Sequence, residues 1–186
     1  LFTTNVSVFT SNGSFLVKPE DFKGVKIRGL EPSFNASLEA LGAAPSSMSG
    51  SKVYQALATN VIDAGLTDVS AAVSRKYFEV QDHFTVVPVI SVYFHGYVNP
   101  TWYDSLSEKN RAALDRAGKT AAAMAIDASI AASADAPDTL RSKGSNGHIA
   151  TEAEITALEA VMRPAFDAKF KGNDDASKLI ELIAKM

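Results

Sequence analysis

Apolar and polar positions alternate along this 186-residue chain at two different periods, and the changes of period mark its elements. Leu1 to Phe9 is rich in Val, Phe and Thr and reads as a strand, turned by Ser11-Asn12-Gly13. Pro19-Glu20-Asp21 leads into a short strand, Val25 to Arg28, where Val25 and Ile27 alternate with Lys26 and Arg28 to give one buried and one polar face. After Pro32 the spacing becomes helical: Phe34, Leu38 and Leu41 share a face over Ser33 to Leu41, and Gly42 is the stop. Ala43 to Ser49 reads as loop. A helix from about Ser51 carries Val53, Tyr54 and Leu57 and ends at Asn60. Val61-Ile62 is expected as a very short buried strand, Asp63 to Asp68 as a polar bend around Gly65, and Val69 to Phe78 as a third helix. Thr85 to Val98 is the longest strand-like region, broken by Pro88.

Asn99-Pro100 opens the helical half. Ser107 is placed to cap an alanine-rich helix from Glu108 to about Arg141, with Gly144 beyond it and Pro137 expected to bend or divide it. Thr151 and Glu154 fit a capping box for a helix carrying Ile155, Leu158, Met162 and Phe166, with a kink expected at Pro164. A last helix, Ala176 to Lys185, is expected to pack Leu179, Ile180, Leu182 and Ile183. Strands alternating with short helices imply βαβ units, and therefore an α/β fold with a largely parallel sheet.

Composition narrows the function. The chain is 46% hydrophobic and 21% charged, as in ordinary globular proteins, and its net charge of −3 with no basic run argues against a nucleic-acid surface. The apolar stretch Val86 to Val98 is interrupted by Pro88, Ser91, His95 and Gly96, so nothing reads as membrane-embedded. Cysteine is absent, which removes disulfides, thiolate metal sites and thiol nucleophiles. His83, His95 and His148 lie far apart in sequence, without metal-ligand spacing. Gly-rich phosphate loops and a G-x-S-x-G elbow are absent too, so no cofactor is expected. Asp63 and Asp68 read as turn residues around Gly65; acid–base chemistry by these two or His95, as in a hydrolase or isomerase, is the weaker alternative.

Arg28 ends its strand between Gly24 and Gly29, an arrangement that leaves the backbone open to close approach. Taken alone it is a solvated strand-end arginine. Its surroundings change that reading. PEDFKGVKIR (19–28), LGAAPSSM (41–48), SKVYQALATNVIDAG (51–65), RKYFEVQDHFT (75–85) and NPTWYDSLSEKNRAALDRAGKTAA (99–122) resemble, in order and spacing, the extracytoplasmic solute-binding proteins of TRAP transporters, the DctP-like family. The resemblance covers nearly the whole chain.

It implies a periplasmic-binding-protein-like fold (type II, TRAP-type), mainly one lobe plus a long lobe-connecting helix. Residues 1–93 would be the first part of the ligand-binding lobe, 94–132 the hinge strand and connecting helix, and 133–186 helices returning to the same lobe. It implies no catalysis: the protein would capture a small organic acid in the periplasm and deliver it to TRAP membrane subunits. A sensory input domain that binds a similar carboxylate is the alternative use of such a fold. Arg28 would pair with the ligand carboxylate through two parallel hydrogen bonds, each contributing roughly 1.5–3 kcal/mol. Thr67 stands where relatives carry a ligand-facing Asn, and Gly50 where they carry an aromatic. Lys52 replaces an acidic residue, and Ser7 an additional arginine. Asp68, Met48, Tyr93 and His95 complete the expected pocket, whereas Tyr54 is assigned to the core and Trp102 to the start of the long helix. These departures favour a small or apolar monocarboxylate. Family members also extend well upstream of Leu1, and Leu1 to Val6 read as strand interior, so the chain is expected to be part of a longer protein.

Overall fold

A computed structural model describes residues 2, 3 and 6–183, with side chains from Val6 to Leu182. The central strand is β2 (Ser7–Ser11), following the two-residue β1 (Phe2–Thr3). Every residue of β2 is buried, because it has a strand on each side and a helical layer over each face. Val8 points into one core and Phe9 into the other, the period-two alternation of a strand buried on both faces.

Around β2 stand β3 (Lys26–Gly29), β4 (Ala44–Ser47), β5 (Gly65–Asp68), β6 (His83–Val86) and β8 (Asn146–Ile149). β2 pairs antiparallel with β5 and β6, whereas β6–β8 and β3–β4 are parallel. A parallel bridge from Ile27 to Ala64 joins β3 to the chain entering β5. The order is thus β4-β3-β5-β2-β6-β8, with β2 running against the rest, and the expected largely parallel sheet is present. Among the described residues, β7 (Tyr93–Phe94) pairs with β1 alone, apart from this sheet.

α1 (Pro32–Ala40) and α6 (Glu152–Ala168) cover one face, where Phe34, Leu38, Leu158 and Met162 meet Phe9, Ile27 and Leu66. α2 (Gly50–Ala58), α3 (Val69–Ser74) and the end of α5 (Glu108–Ser142) cover the other, where Val53, Leu57, Tyr77, Ala136 and Leu140 pack on Val8, Phe84 and Val86. The remaining helices are α4 (Pro100–Ser105), capped by Asn99, and α7 (Asp174–Ile183).

Several expectations need correction. Ala44–Ser47 is a strand, not loop; it is an edge strand, where Pro45 forfeits no essential ladder bond. β8 lay unread in Asn146-Gly147-His148-Ile149, where Gly147 leaves room for the Phe84 ring. The short strand expected at Val61-Ile62 is displaced to Gly65–Asp68: Val61 is exposed, and Asp63 accepts the Lys26 backbone N–H instead of turning the chain. The third helix stops at Ser74, and a 3-10 turn follows at Tyr77–Glu79. Strand structure after Val86 gives way to irregular chain, pinned by the Ser7 hydroxyl, which accepts from Val89 and Ile90 N–H. Pro137 does not divide α5, which runs unbroken for 35 residues. Leu179 and Leu182 of α7 are exposed rather than packed, and Trp102 is half-exposed. The expected end of the last helix at Lys185, the side chain of Ile183, and Leu1, Thr4 and Asn5 lie outside the described residues.

Candidate functional site

Arg28 leaves β3 toward the α2/α3 side of the sheet, opposite to its neighbour Ile27. It is 8% exposed. Its Nη1 donates to the Leu66 carbonyl (2.7 Å) and its Nε to the Met48 carbonyl (3.3 Å), so backbone from β5 and from the loop before α2 holds the guanidinium in place. Among the described residues no carboxylate pairs with it. A guanidinium carries five N–H donors and stays protonated, so this one is a buried charge with donor capacity left over. Burial lowers its pKa, the neighbouring Arg75 lowers it further, and Tyr77 opposes them. Tyr77 is fully buried beneath the pair; burial raises its own pKa, and the charges of Arg75 and Arg28 pull it back.

Arg28 faces an open cavity of about 670 Å³. Gly50, Thr67 and Asp68 line it as well, while Met48 contributes its carbonyl to Arg28. Ala125, Ala128 and Ala132 of α5 form the wall opposite the sheet edge, and their small side chains keep the space open. Tyr93 and His95 lie outside this lining: Tyr93 pairs with Thr3, and the His95 ring sits beside that of Tyr97, both residues exposed. Phe94, not Tyr93, reaches the cavity, one residue along and therefore on the other face. Ser7 lines the cavity while bonded to the Val87 carbonyl.

Two readings of the glycines and acids change. Gly29 does not clear space for a ligand: an added Cβ would sit 2.5 Å from Asn35 Oδ1, which accepts from Leu30 N–H (2.8 Å). Gly24 serves a left-handed turn at φ 77°. Asp63 is ion-paired to Lys26 (3.4 Å), and Asp68 caps α3 by accepting from Ser70 N–H (2.9 Å). Asp68 ends β5 and Asp63 lies in a bend two residues before it starts, each engaged by its own local partner rather than by the other. His95 joins neither of them.

Sequence reading missed Arg75. It lines the same cavity, and its Nη1 donates to Thr67 Oγ1 (3.1 Å). A second cavity of about 420 Å³, between α1 and α6, suits an anion poorly. It presents Glu31 and Glu159, and its Arg163 already holds Asp167 (2.9 Å). Among the described residues no cluster of His, Asp and Glu could hold a metal ion, and no helix is long and apolar enough to cross a membrane.

A mixed sheet sandwiched between helices, with a buried cation at its edge and a long helix across the opening, is one lobe of a type II solute-binding protein. The profile of bacterial extracellular solute-binding protein family 7, DctP, matches residues 3–173, and the chain belongs to that family. The members are binders and not enzymes. Over 161 residues it is 33% identical to the C4-dicarboxylate-binding periplasmic protein DctP of Rhodobacter capsulatus, covering 82% of this chain and 46% of that protein. The 2,3-diketo-L-gulonate-binding periplasmic protein YiaO of Escherichia coli is 34% identical over 102 residues, 52% of this chain and 30% of that protein. Among solved structures, a TRAP periplasmic solute-binding protein from Shewanella oneidensis with bound succinate superposes with a TM-score of 0.79 at 25% identity, over 91% of this chain and 56% of that one. One from Sulfitobacter with bound β-D-galacturonate gives 0.83 at 17% identity, over 100% of this chain and 61% of that one. The chain thus spans about half the length of the relatives it matches.

Proposed function

We propose that this chain binds a small organic acid through Arg28 and, as part of a periplasmic solute-binding protein, delivers it to the membrane subunits of a TRAP transporter, with no reaction catalysed. One observation carries the reading. Arg28 is buried, held by two carbonyls, and without a carboxylate partner among the described residues. A buried charge left unpaired is costly, and a ligand carboxylate is the group that would complete it. The carbonyls fix the plane of the guanidinium, so a carboxylate arriving from the cavity meets a preorganised fork. Thr67, at the cavity edge, orients the bound acid. Approach of α5 and whatever lies beyond it excludes water and strengthens the pair.

Isothermal titration and thermal shift against small carboxylates test this. A bound acid raises the melting temperature in a concentration-dependent way. Arg28→Ala is expected to weaken binding by about a hundredfold or more, two charge-assisted bonds being lost. Arg28→Lys keeps the charge but not the fork, so it should also bind clearly less well. Near-native affinity in the lysine variant overturns the bidentate reading.

A further inference from the structure

We propose that Arg75 is a second anion anchor, seated in the cavity by the absence of a side chain at Gly50, and that it selects acids carrying a second acidic group. The inference rests on the reading of Arg28 as a carboxylate site and adds a specificity residue to it. Arg75 follows the last residue of α3, where its N–H closes the helix onto the Ala71 carbonyl (3.0 Å). From there its side chain returns to the cavity, donating to Thr67 Oγ1 (3.1 Å). The guanidinium lies directly over Gly50: a Cβ added there would stand 2.5 Å from Cζ and Nη1 and 2.6 Å from Nη2. Gly50 is the first residue of α2 and its backbone is not left-handed, so conformation does not require glycine there. An added side chain would instead take the place that the Arg75 guanidinium occupies. The gap at Gly50 is filled from across the cavity by a cation.

Two guanidiniums therefore face one cavity, and among the described residues neither is ion-paired. The neighbouring carboxylate, Asp68, has one oxygen engaged by the Ser70 N–H and hydroxyl, and the other is shielded from solvent without a partner. An acid with a single carboxylate satisfies Arg28 and leaves Arg75 with only the hydroxyls of Thr67 and Tyr77, and no anion. A second acidic group on the same short ligand satisfies both, and relieves the repulsion that Arg75 exerts on Arg28. This turns the expectation of a monocarboxylate toward a diacid.

The test compares chain-matched probes, succinate against butyrate and malonate against propionate, by isothermal titration of the 186-residue chain. Arginine side-chain NMR read in the same titrations reports which guanidinium each acid meets. The diacid should bind roughly tenfold tighter or more, the scale of one charge-assisted bond, and should shift the Arg75 Nε–H resonance while the monoacid shifts only that of Arg28. Arg75→Gln should collapse the diacid-to-monoacid ratio toward one, and so should Gly50→Ala, whose methyl group displaces the guanidinium. Arg28→Lys should weaken both acids together, which separates failure of the first anchor from failure of the second. Equal affinity for diacid and monoacid, or a ratio that Arg75→Gln leaves intact, overturns the proposal. Binding of neither probe overturns it together with the reading of Arg28.

Discussion

The two walls of the cavity are built on different principles. The sheet wall is set in two cores: Arg28, Thr67 and their neighbours are carried by strands whose Ile27, Leu66, Val8 and Phe9 are fully buried. The helical wall has no such support. From Ser91 to Ala132 no residue is buried, and Tyr93, Tyr97 and Met124 are 63%, 85% and 66% exposed. α5 enters a core only through Ser133, Ala136 and Leu140. Upstream of these it is held as a helix by alanine propensity, by length, and by Ser107, whose hydroxyl accepts from Asn110 N–H. The proposed anchor Arg28 thus stands on the packed wall, and the facing wall is a helix whose apolar side chains remain uncovered.

Truncating each wall in turn is the strongest way to break that comparison. Leu158 is 0% exposed between α6 and the sheet, so Leu158→Ala should cost about 2–5 kcal/mol in urea unfolding, lost transfer energy plus a cavity. Met124→Ala on α5 should stay within about 0.5 kcal/mol, because that side chain is already in water. A cost above about 2 kcal/mol at Met124 would mean that the helical wall is packed after all.

Adding a methyl group sharpens the contrast, because the sign should reverse between walls. At Gly29 the new Cβ meets Asn35, whose amide also donates to Ser47 Oγ (2.8 Å) and so cannot withdraw freely. Gly29→Ala should destabilise by about 1–3 kcal/mol. At Gly118, inside α5, a Cβ meets nothing within 4 Å. Gly118→Ala should therefore stabilise, by up to about 1 kcal/mol of helix propensity. Thermal unfolding of both variants checks the pair, and a shift of the same sign in each would end the distinction.

Sequence reading succeeded where one local signal was enough. Alternation around Ile27 located β3, Asn60 ended α2 in the left-handed region, and Thr151 with Glu154 formed the expected capping box. It failed where partners decide. Ala44–Ser47 and Asn146–Ile149 hold proline, glycine and polar residues, and they are strands only because β3 and β6 offer edges to pair with. The site divided in the same way. Arg28, the proposed anchor, could be singled out because its strand pattern and the family resemblance agree. Arg75 could not, since Ser74-Arg75-Lys76 reads as the solvated end of a helix. Its place depends on Gly50, which is 25 positions earlier in the chain and adjacent only after folding. Tyr93 and His95 fall outside the cavity lining, by strand parity and by the loss of strand structure after Phe94.

The smallest effect concerns the rim of the packed wall, where a half-buried group should register in stability mainly through its hydrogen bonds. Glu154 Oε2 accepts from the Thr151 N–H (2.8 Å) and meets His148 Nε2 (2.8 Å), linking the start of α6 to β8. Those bonds, the Thr151 N–H first and His148 second, hold its carboxyl pKa down from the ordinary 4.5 to about 2. A carboxyl depressed in the folded chain binds protons more readily when unfolded. Its contribution is therefore complete above about pH 4.5 and is lost as pH falls toward about 2. Glu154→Gln keeps an acceptor for the capping box but removes the charge, so its melting temperature should fall less steeply across that window. Melting curves of the two proteins from neutral pH down to about 2 decide it. Parallel declines would show that the link between α6 and β8 adds nothing to the wall that carries Arg28.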